Sequence, residues 1–317
     1  MKKSKPHHRH CEERSDVAIS LHPSLRFFFN ISALFSICLF FIFSPVMGRL
    51  PGPVKPSVKA AYTSEPKSPV SQKLSPPSFT TTGIFVMDLD TGIVLLDKNP
   101  HLRLKPASLT KIMTSLVALD YYSEGSVLKV INGQKSLGNT VKLVKGDELT
   151  ASEVIYALLV PSGNDAAVTL AENYPGGYQQ FVKKMNQKIT ELGLSNTNFT
   201  NVSGVESPNH YTSAYDIAMI ARTALRRPAF STIVSTKNIT ITSLKGHTYP
   251  LESTNILLGK PGIVGVKTGW TPEAGECLVI LVTKDNHPVL ISLLNSNDRF
   301  GEAQKIINWV YSNYLWQ

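Results

Sequence analysis

Ser108 and Lys111 are the residues whose types and spacing most directly suggest chemistry. The apolar-periodic run 112–119 follows them and predicts a helix that begins near Ser108. Residues three apart lie on one helix face, with Cβ atoms roughly 5–6 Å apart. The helix dipole favours negative charge on the Ser108 oxygen, and a Lys111 amine whose pKa is lowered can accept its proton. The pair is a candidate nucleophile and base, although a helix cap beside a solvated lysine has the same spacing.

Two further polar motifs decide between these interpretations. Ser162 and Asn164 flank a glycine in a predicted tight turn between two helices, where polar side chains can point into a cleft. The alternative is an ordinary helix cap with a turn glycine. Lys267-Thr268-Gly269 ends a predicted strand, and period-2 alternation puts its lysine and glycine on one face. Glycine there leaves the strand bare, so that another backbone can approach it.

The elements that position these motifs follow from hydrophobic periodicity and from capping and turn signals. Apolar runs predict strands at 83–89, 92–97, 141–144, 238–242, 248–251, 263–267, 276–283 and 289–295. Helices are predicted after the capping box Thr150-x-x-Glu153, over 178–192, from the cap Ser213-x-x-Asp216 to residue 226, and over 298–316.

The positive charge of the chain is concentrated before its body. The 317 residues carry a net charge of +9, but residues 1–78 hold eleven Lys and Arg against four Asp and Glu, whereas 79–317 hold 21 against 19. The body has no basic stripe with interleaved aromatic residues. We therefore expect no nucleic-acid partner.

Composition divides the chain into four parts. Residues 1–26 form a basic cytoplasmic leader, and 27–43 are seventeen residues without a charge. We interpret 27–47 as a signal peptide or an N-terminal membrane anchor. The Pro/Ser/Lys-rich stretch 48–78 is a predicted linker. Positive charge before the apolar run predicts that the body, 79–317, is exported.

His210 and Cys277 are two further residues of the body whose side chains could carry chemistry. His210 lies in a predicted loop, where it is either a general base or, as we favour, a structural hydrogen-bonding residue. Cys277 lies in a predicted strand and is expected to be buried, and no second cysteine in the body can pair with it. We expect neither a metal nor a cofactor, and we do not read the histidines of the leader as a metal site.

The three motifs occur in the order Ser-x-x-Lys, Ser-x-Asn and Lys-Thr-Gly, which is the signature of penicillin-binding proteins and serine β-lactamases. The sequence most closely resembles the D-alanyl-D-alanine carboxypeptidases, the low-molecular-mass penicillin-binding proteins, over about 79–295. Residues 162–166, 210–214 and 271–275 add to the resemblance. It implies an α/β (α+β) fold with a mostly antiparallel sheet flanked by helices, an all-helical subdomain, and an active site between them.

The resemblance also implies roles for individual residues. Ser108 would attack the carbonyl between the two terminal D-alanines of a peptidoglycan stem peptide, with Lys111 as base, and Ser162 would relay a proton to the leaving D-alanine. The expected substrate contacts are Asn164, Lys267, Thr268, Gly269 and Trp270, whose backbone N–H would hold the oxyanion together with that of Ser108. β-Lactam antibiotics would acylate Ser108, and the protein would act in the periplasm or at the outer face of the cytoplasmic membrane, attached to the membrane through 27–47 if that segment is uncleaved.

Alternative functions share these motifs. A D,D-endopeptidase would cut peptidoglycan crosslinks with the same residues, and a non-catalytic penicillin-binding or wall-binding module would keep the fold without the activity. A class A β-lactamase is disfavoured because no Glu-x-x-Leu-Asn element is found. The intact Ser108 and Lys111 favour an enzyme over a binding module.

Overall fold

A five-stranded antiparallel sheet forms the centre of the computed structural model, which describes residues 66–132 and 136–317. Most positions of its middle strands are buried, so that both faces of the sheet are covered. In spatial order the strands are β3 (Val94–Lys98), β2 (Gly83–Asp88), β10 (His287–Ser296), β9 (Gly275–Lys284) and β8 (Ile263–Thr271). Strand β8 therefore lies at one edge.

The described residues form seven α-helices, which share two hydrophobic cores with the sheet. Phe85 and Met87 belong to the larger core, and Ile84 and Val86 to the smaller one, as alternation along a strand requires. The helices are α1 (Thr110–Tyr121), α2 (Ala151–Leu159), α3 (Asn164–Glu172), α4 (Gly177–Glu191), α5 (Ala214–Leu225), α6 (Pro228–Val234) and α7 (Arg299–Asn313). The first six contribute to the larger core, whereas α7 packs in the smaller one.

Three two-stranded antiparallel ribbons occur in the described residues besides the central sheet. They pair β1 (Pro69–Ser71) with β11 (Tyr314–Trp316), β4 (Val127–Lys129) with β5 (Glu148–Thr150), and β6 (Asn238–Thr242) with β7 (Thr248–Glu252). The last of these is the hairpin expected near 238–251.

The predicted fold class is confirmed: an antiparallel sheet is flanked by helices on both faces. Two predicted helix starts are confirmed by their capping contacts. The Thr150 hydroxyl accepts a hydrogen bond from the Glu153 N–H, and the Glu153 carboxylate accepts one from the Thr150 N–H. The Ser213 hydroxyl accepts one from the Asp216 N–H at 3.1 Å.

Two segments differ from the sequence-based expectation. Residues 141–144 do not form a strand, because the backbone N–H groups of Val141 and Leu143 donate to the carboxylate of Asp165 at 3.0 and 2.9 Å. A side chain therefore takes the place of a neighbouring strand. Helix α6 was not predicted. Its proline occupies the first turn, where a backbone N–H has no intrahelical acceptor, so the proline costs the helix no hydrogen bond.

The end of the chain also differs from the prediction of one helix over 298–316. Helix α7 ends at Asn313, and β11 follows it and pairs with β1. The Trp316 indole N–H donates to the Asp88 carboxylate at 2.7 Å, and its ring stacks on His287 with centroids 4.7 Å apart. The hydrogen bond and the stacking of the half-buried Trp316 ring outweigh continuation of the helix.

Strand β1 lies within the predicted linker, 48–78, so the folded structure begins before residue 79. The expected leader, 1–26, the segment 27–47 and the linker up to residue 65 lie outside the described residues. The helices within residues 66–132 and 136–317 are too short or too polar to span a lipid bilayer.

Glu302 joins the start of α7 to the central sheet. Its carboxylate, only 3% exposed, accepts hydrogen bonds from the backbone N–H groups of Thr80 and Thr81 and from the Thr81 and Ser296 hydroxyls. Burial raises the pKa of this carboxyl, but the hydrogen bonds from Ser296 and Thr81 outweigh burial and lower it below its ordinary value. The ionised form is therefore part of the folded state.

We expect Glu302→Gln to lower the free energy of unfolding by about 1–3 kcal/mol at pH 7, because an amide N–H₂ would face donors that now have acceptors. Urea unfolding measures this, with Lys305→Ala on the exposed face of α7 as a control within about 0.5 kcal/mol of the unaltered protein. Because the folded pKa is depressed, the difference should be full above the ordinary Glu pKa of about 4.3 and shrink as pH falls below it. A difference that stays constant into acid would contradict the role of the charge.

Candidate active site

Ser108 lies in a short 3₁₀ turn, Ala107–Leu109, that leads directly into α1. The helix predicted to begin near Ser108 therefore begins at Thr110. Ala107 has a φ of 46°, a left-handed conformation that costs a residue with a side chain of the order of 1–3 kcal/mol. Leu109 is fully buried and fixes the turn in the larger core. The strained turn holds Ser108 at the start of the helix.

The amine of Lys111 is the centre of the polar contacts around Ser108. Its Nζ lies 2.9 Å from Ser108 Oγ, 2.5 Å from Asn164 Oδ1 and 2.9 Å from the carbonyl oxygen of Ser203. The side chain is completely buried, and these three acceptors match the three donors of an ammonium group. The structure thus brings Ser108, Lys111 and Asn164 together.

Burial is the main cause that holds the pKa of Lys111 well below its ordinary value. The positive charge of Lys267 lowers this pKa further, whereas the carboxylate of Asp165 raises it. A lysine with a lowered pKa has a larger fraction of neutral amine near neutral pH. Lys111 can therefore accept the proton of the Ser108 hydroxyl.

Ser162 and Asn164 lie in the turn between α2 and α3, as the sequence predicts. Asn164 is the first residue of α3, and its amide Nδ2 donates to the carbonyl of Leu137, which also lines the cleft. Ser162 is 5% exposed and has a φ of 69°. Among the hydrogen bonds of the described residues, none joins its hydroxyl to Lys111 or to Lys267.

Lys267 and Thr268 lie on the edge strand β8. Lys267 is 2% exposed, and its Nζ donates to the Thr268 carbonyl at 3.0 Å. Burial, followed by the positive charge of Arg299, lowers the pKa of Lys267 to about 7. The hydroxyls of Thr268 and Thr254 lie 2.6 Å apart. The strand therefore presents a titratable amine and a fixed hydroxyl side by side.

Gly269 is the point where β8 meets the turn that carries Ser108. A Cβ atom at Gly269 would lie 3.0 Å from the Ser108 backbone N, 3.1 Å from Ala107 Cβ and 3.2 Å from the Pro106 carbonyl oxygen. The sequence predicted that another backbone approaches this glycine, and the turn before α1 is that backbone.

Arg299 is a site residue that sequence reasoning missed. Its guanidinium Nη1 donates to the Gly269 carbonyl at 2.8 Å, and its charge lowers the pKa of Lys267. It is the first residue of α7, thirty positions after Gly269, and the only sequence signal in its vicinity is the Asp298 helix cap. Only the packing of α7 against the sheet brings this third cation to the edge of β8.

A cavity of about 380 Å³ opens beside Ser108. Asn164 and the indole of Trp270 contribute to its walls, and Trp270 is 61% exposed. Loop 203–206 and residues 271–272, at the end of β8, also line the cavity. The predicted position of Trp270 at the cleft agrees with this geometry.

Gly204 allows the loop that carries the Ser203 carbonyl to lie against the turn before α1. Its φ is +86°, and a Cβ atom there would overlap the Ala107 carbonyl and approach Thr110 Oγ1 at 2.9 Å. The loop is further held by Asn201, whose Oδ1 accepts from the Gly204 N–H at 2.7 Å. The position of the Ser203 carbonyl, which accepts a hydrogen bond from Lys111, thus depends on the neighbouring Gly204.

His210 has a structural role. It is buried, and its ring contacts the Thr110 hydroxyl at 2.9 Å and accepts from the Thr200 N–H at 3.0 Å. Burial, followed by the charge of Lys105, lowers its pKa to about 4. Cys277 is buried as expected. In residues 66–132 and 136–317 no three His, Cys, Asp or Glu side chains are placed to hold a metal ion.

Comparisons with known proteins agree with this geometry. A family model described as D-alanyl-D-alanine carboxypeptidase matches residues 70–298. The D-alanyl-D-alanine carboxypeptidase DacF of Bacillus subtilis is 35% identical over 239 residues, which are 72% of this chain and 61% of that protein. A D-alanyl-D-alanine endopeptidase of Escherichia coli is 30% identical over 255 residues, 77% of this chain and 81% of its own length. The crystal structure of the Streptomyces K15 DD-transpeptidase matches with a TM-score of 0.72 at 31% identity, covering 75% of this chain and all of that one.

The chain spans about three fifths of the length of the Bacillus relative. The similarity therefore covers the part of that protein that corresponds to the folded body described here.

We expect Gly204→Ala to lower the free energy of unfolding by roughly 2–4 kcal/mol, the sum of a left-handed backbone and an overpacked contact with Ala107. Gly193→Ala is the matched control: its φ is +68°, but no atom lies within 4 Å of the added Cβ. It should cost only about 1–2 kcal/mol. Urea unfolding of the two variants would contradict the packing argument if their losses were equal.

Proposed function

Since the chain belongs to the D-alanyl-D-alanine carboxypeptidase family, we propose that it is a serine peptidase that removes the terminal D-alanine from peptidoglycan stem peptides. The observation that carries the proposal is the 2.9 Å contact between Ser108 Oγ and the buried amine of Lys111. A hydroxyl beside a base of lowered pKa is the arrangement of an activated nucleophile.

In the proposed reaction Ser108 attacks the carbonyl of the penultimate D-alanine, and Lys111 takes the hydroxyl proton. The backbone N–H groups of Ser108 and Trp270 hold the oxyanion, and losing one such donor typically costs about 10²–10³ in rate. The contact of Gly269 with the Ser108 turn supports this pairing, since it keeps the two backbones close.

Collapse of the tetrahedral intermediate breaks the peptide bond and leaves an acyl-enzyme at Ser108. The amine of the leaving D-alanine receives the proton, and we propose that the Ser162 hydroxyl carries it there. Water then attacks the ester, releases the shortened stem peptide and restores the Ser108 hydroxyl. Asn164 holds the Lys111 amine in place throughout, as its 2.5 Å contact supports.

The terminal carboxylate of the substrate is assigned to Lys267 and Thr268. A protonated Lys267 supplies charge, and the Thr268 hydroxyl, fixed by Thr254 at 2.6 Å, supplies a hydrogen bond. Arg299 adds positive charge next to them through its contact with the Gly269 carbonyl. Gly269 lets the turn that carries Ser108 lie against β8, so that the serine is close to the strand along which an extended peptide would bind.

A D,D-endopeptidase is the second candidate, because a relative with that name covers 77% of the chain. Purified peptidoglycan separates the two reactions: a carboxypeptidase releases free D-alanine from pentapeptides, whereas an endopeptidase converts dimeric muropeptides to monomers. A non-catalytic binding module is disfavoured because Ser108 and Lys111 are both present and in contact.

Peptidoglycan lies outside the cytoplasm, so the proposed activity fits the export predicted from the N-terminal residues. We propose that 1–26 and 27–47 direct the folded body to the periplasm or the outer face of the membrane, with the part of 48–78 that precedes β1 as connection. β-Lactam antibiotics are the proposed covalent inhibitors, since they present an acyl group to the same serine.

Fluorescent penicillin should label the protein in a stoichiometric reaction, and Ser108→Ala should abolish the label because the acylated oxygen is gone. Lys111→Ala should slow labelling by about 10²–10⁴-fold, the usual effect of losing a general base. Ser123→Ala, an exposed serine beyond α1, is the control and should label normally. A folded, unlabelled wild-type protein would show that the proposed function is wrong.

The lowered pKa of Lys267 predicts a pH dependence of carboxylate binding. The ammonium form is present below pH 7 and is lost as pH rises through about 7, so kcat/KM for a peptide ending in D-alanyl-D-alanine should decline above that pH. The same peptide ending in an amide should not show this decline, because it has no carboxylate. Lys267→Arg should also remove the decline, since arginine stays charged, whatever its absolute rate.

These pH profiles are measured as initial rates at low substrate concentration. A decline of equal size for the amide peptide would show that a group other than Lys267 causes the decline in kcat/KM.

A further inference from the structure

The direction of the substrate along β8 follows from the proposed function. With the terminal carboxylate at Lys267 and Thr268 and the reacting carbonyl at Ser108, an extended substrate runs antiparallel to the edge strand. Strand residues advance about 3.3–3.4 Å each. The substrate residue that precedes the two D-alanines therefore lies beside Thr271 and Pro272.

The cavity beside Ser108 lies on that same side. Trp270, Thr271 and Pro272 line it, whereas the residues assigned to the carboxylate, Lys267 and Thr268, do not. Its volume of about 380 Å³ is that of a small ligand pocket. It can therefore take a long side chain of the acyl part of the substrate.

The walls of the cavity combine an apolar surface with one negative charge. Leu137, Val205, Trp270 and Pro272 supply apolar atoms, and Glu206 is the one acidic residue among the lining residues that the structure describes. Aliphatic stems of basic side chains pack on such surfaces while their charged ends reach a polar partner.

Glu206 is held in place and is ionised. Its Oε1 accepts from the Glu273 N–H at 2.8 Å. The hydrogen bond from the Thr271 hydroxyl, followed by that N–H, lowers the pKa of Glu206 below its ordinary value. The neighbouring cation, Lys105, lies 3.6 Å from the Glu273 carboxylate and donates to the Ser207 carbonyl at 3.0 Å. The direct contacts of Lys105 are therefore with Glu273 and Ser207, although its charge also contributes to the lowered pKa of Glu206. Glu206 lines the cavity and offers its charge there.

We propose that Glu206 determines substrate specificity by binding a protonated amine at the end of an aliphatic side chain on the residue before the two D-alanines. The apolar walls hold the methylene groups of this side chain, and the carboxylate of Glu206 pairs with its ammonium. The substrate class is therefore the stem peptide with a free side-chain amine at that residue, in preference to one whose amine is acylated. This inference rests on the proposed function.

Two synthetic peptides test the inference: an N-acylated Lys-D-Ala-D-Ala with a free ε-amine, and the same peptide with that amine acetylated. The full chain should hydrolyse the first with a kcat/KM about fivefold higher, since an exposed ion pair contributes modestly to binding. The preference should approach unity at about 1 M salt, where the screening length is about 3 Å.

Glu206→Gln should abolish the preference while keeping an acceptor for the Glu273 N–H, so that the loop stays in place. Glu252→Gln is the control: it removes one exposed carboxylate on β7, outside the cavity, and it should keep the preference. Thermal melting of both variants checks their folding.

Equal hydrolysis of both peptides by the unaltered protein, or a preference that survives in Glu206→Gln, would overturn the role of Glu206 alone. Absence of hydrolysis together with absence of penicillin labelling would overturn the proposed function, and this inference with it.

Discussion

The buried amine of Lys111 is the constraint on which the rest of the site depends. Removing an ammonium from water costs several kcal/mol unless its donors find acceptors. The three acceptors come from three separate parts of the chain: the turn at Ser108, the first residue of α3 at Asn164, and the loop carbonyl of Ser203. Because all three must form hydrogen bonds with the same amine, the helix start, the interhelix turn and the loop are fixed relative to each other.

Close backbone packing makes these positions possible. Gly269 and Gly204 each lie against the turn that carries Ser108, and neither leaves room for an unhindered side chain. Ala107 between them adopts a left-handed conformation that its side chain disfavours. The strained residue and the two glycines therefore lie where the Ser108 turn, β8 and the loop at Gly204 meet. At this point the geometry of the site overrides the conformational preferences of the individual residues.

Sequence reasoning succeeded where the signal is local. The three motifs, the hairpins and the caps at Thr150 and Ser213 depend on residues within a few positions of each other. It missed contacts that depend on tertiary packing: Arg299 reaches the site from α7, and the Ser203 carbonyl has no side-chain signature. Residues 141–144 have the composition of a strand, but their N–H groups bind a carboxylate 22–24 positions away.

Three cations of the site influence one another and so link substrate binding to catalysis. Arg299 lowers the pKa of Lys267, and Lys267 lowers that of Lys111. In the proposed reaction the terminal carboxylate of the substrate approaches the first two, and its negative charge compensates their positive charge. An anion near a cationic group favours the protonated form, so the carboxylate raises the proton affinity of Lys267 and of Lys111. The lowered pKa gives Lys111 a larger neutral fraction in the free site, and in the proposed reaction the bound carboxylate makes that amine a stronger base.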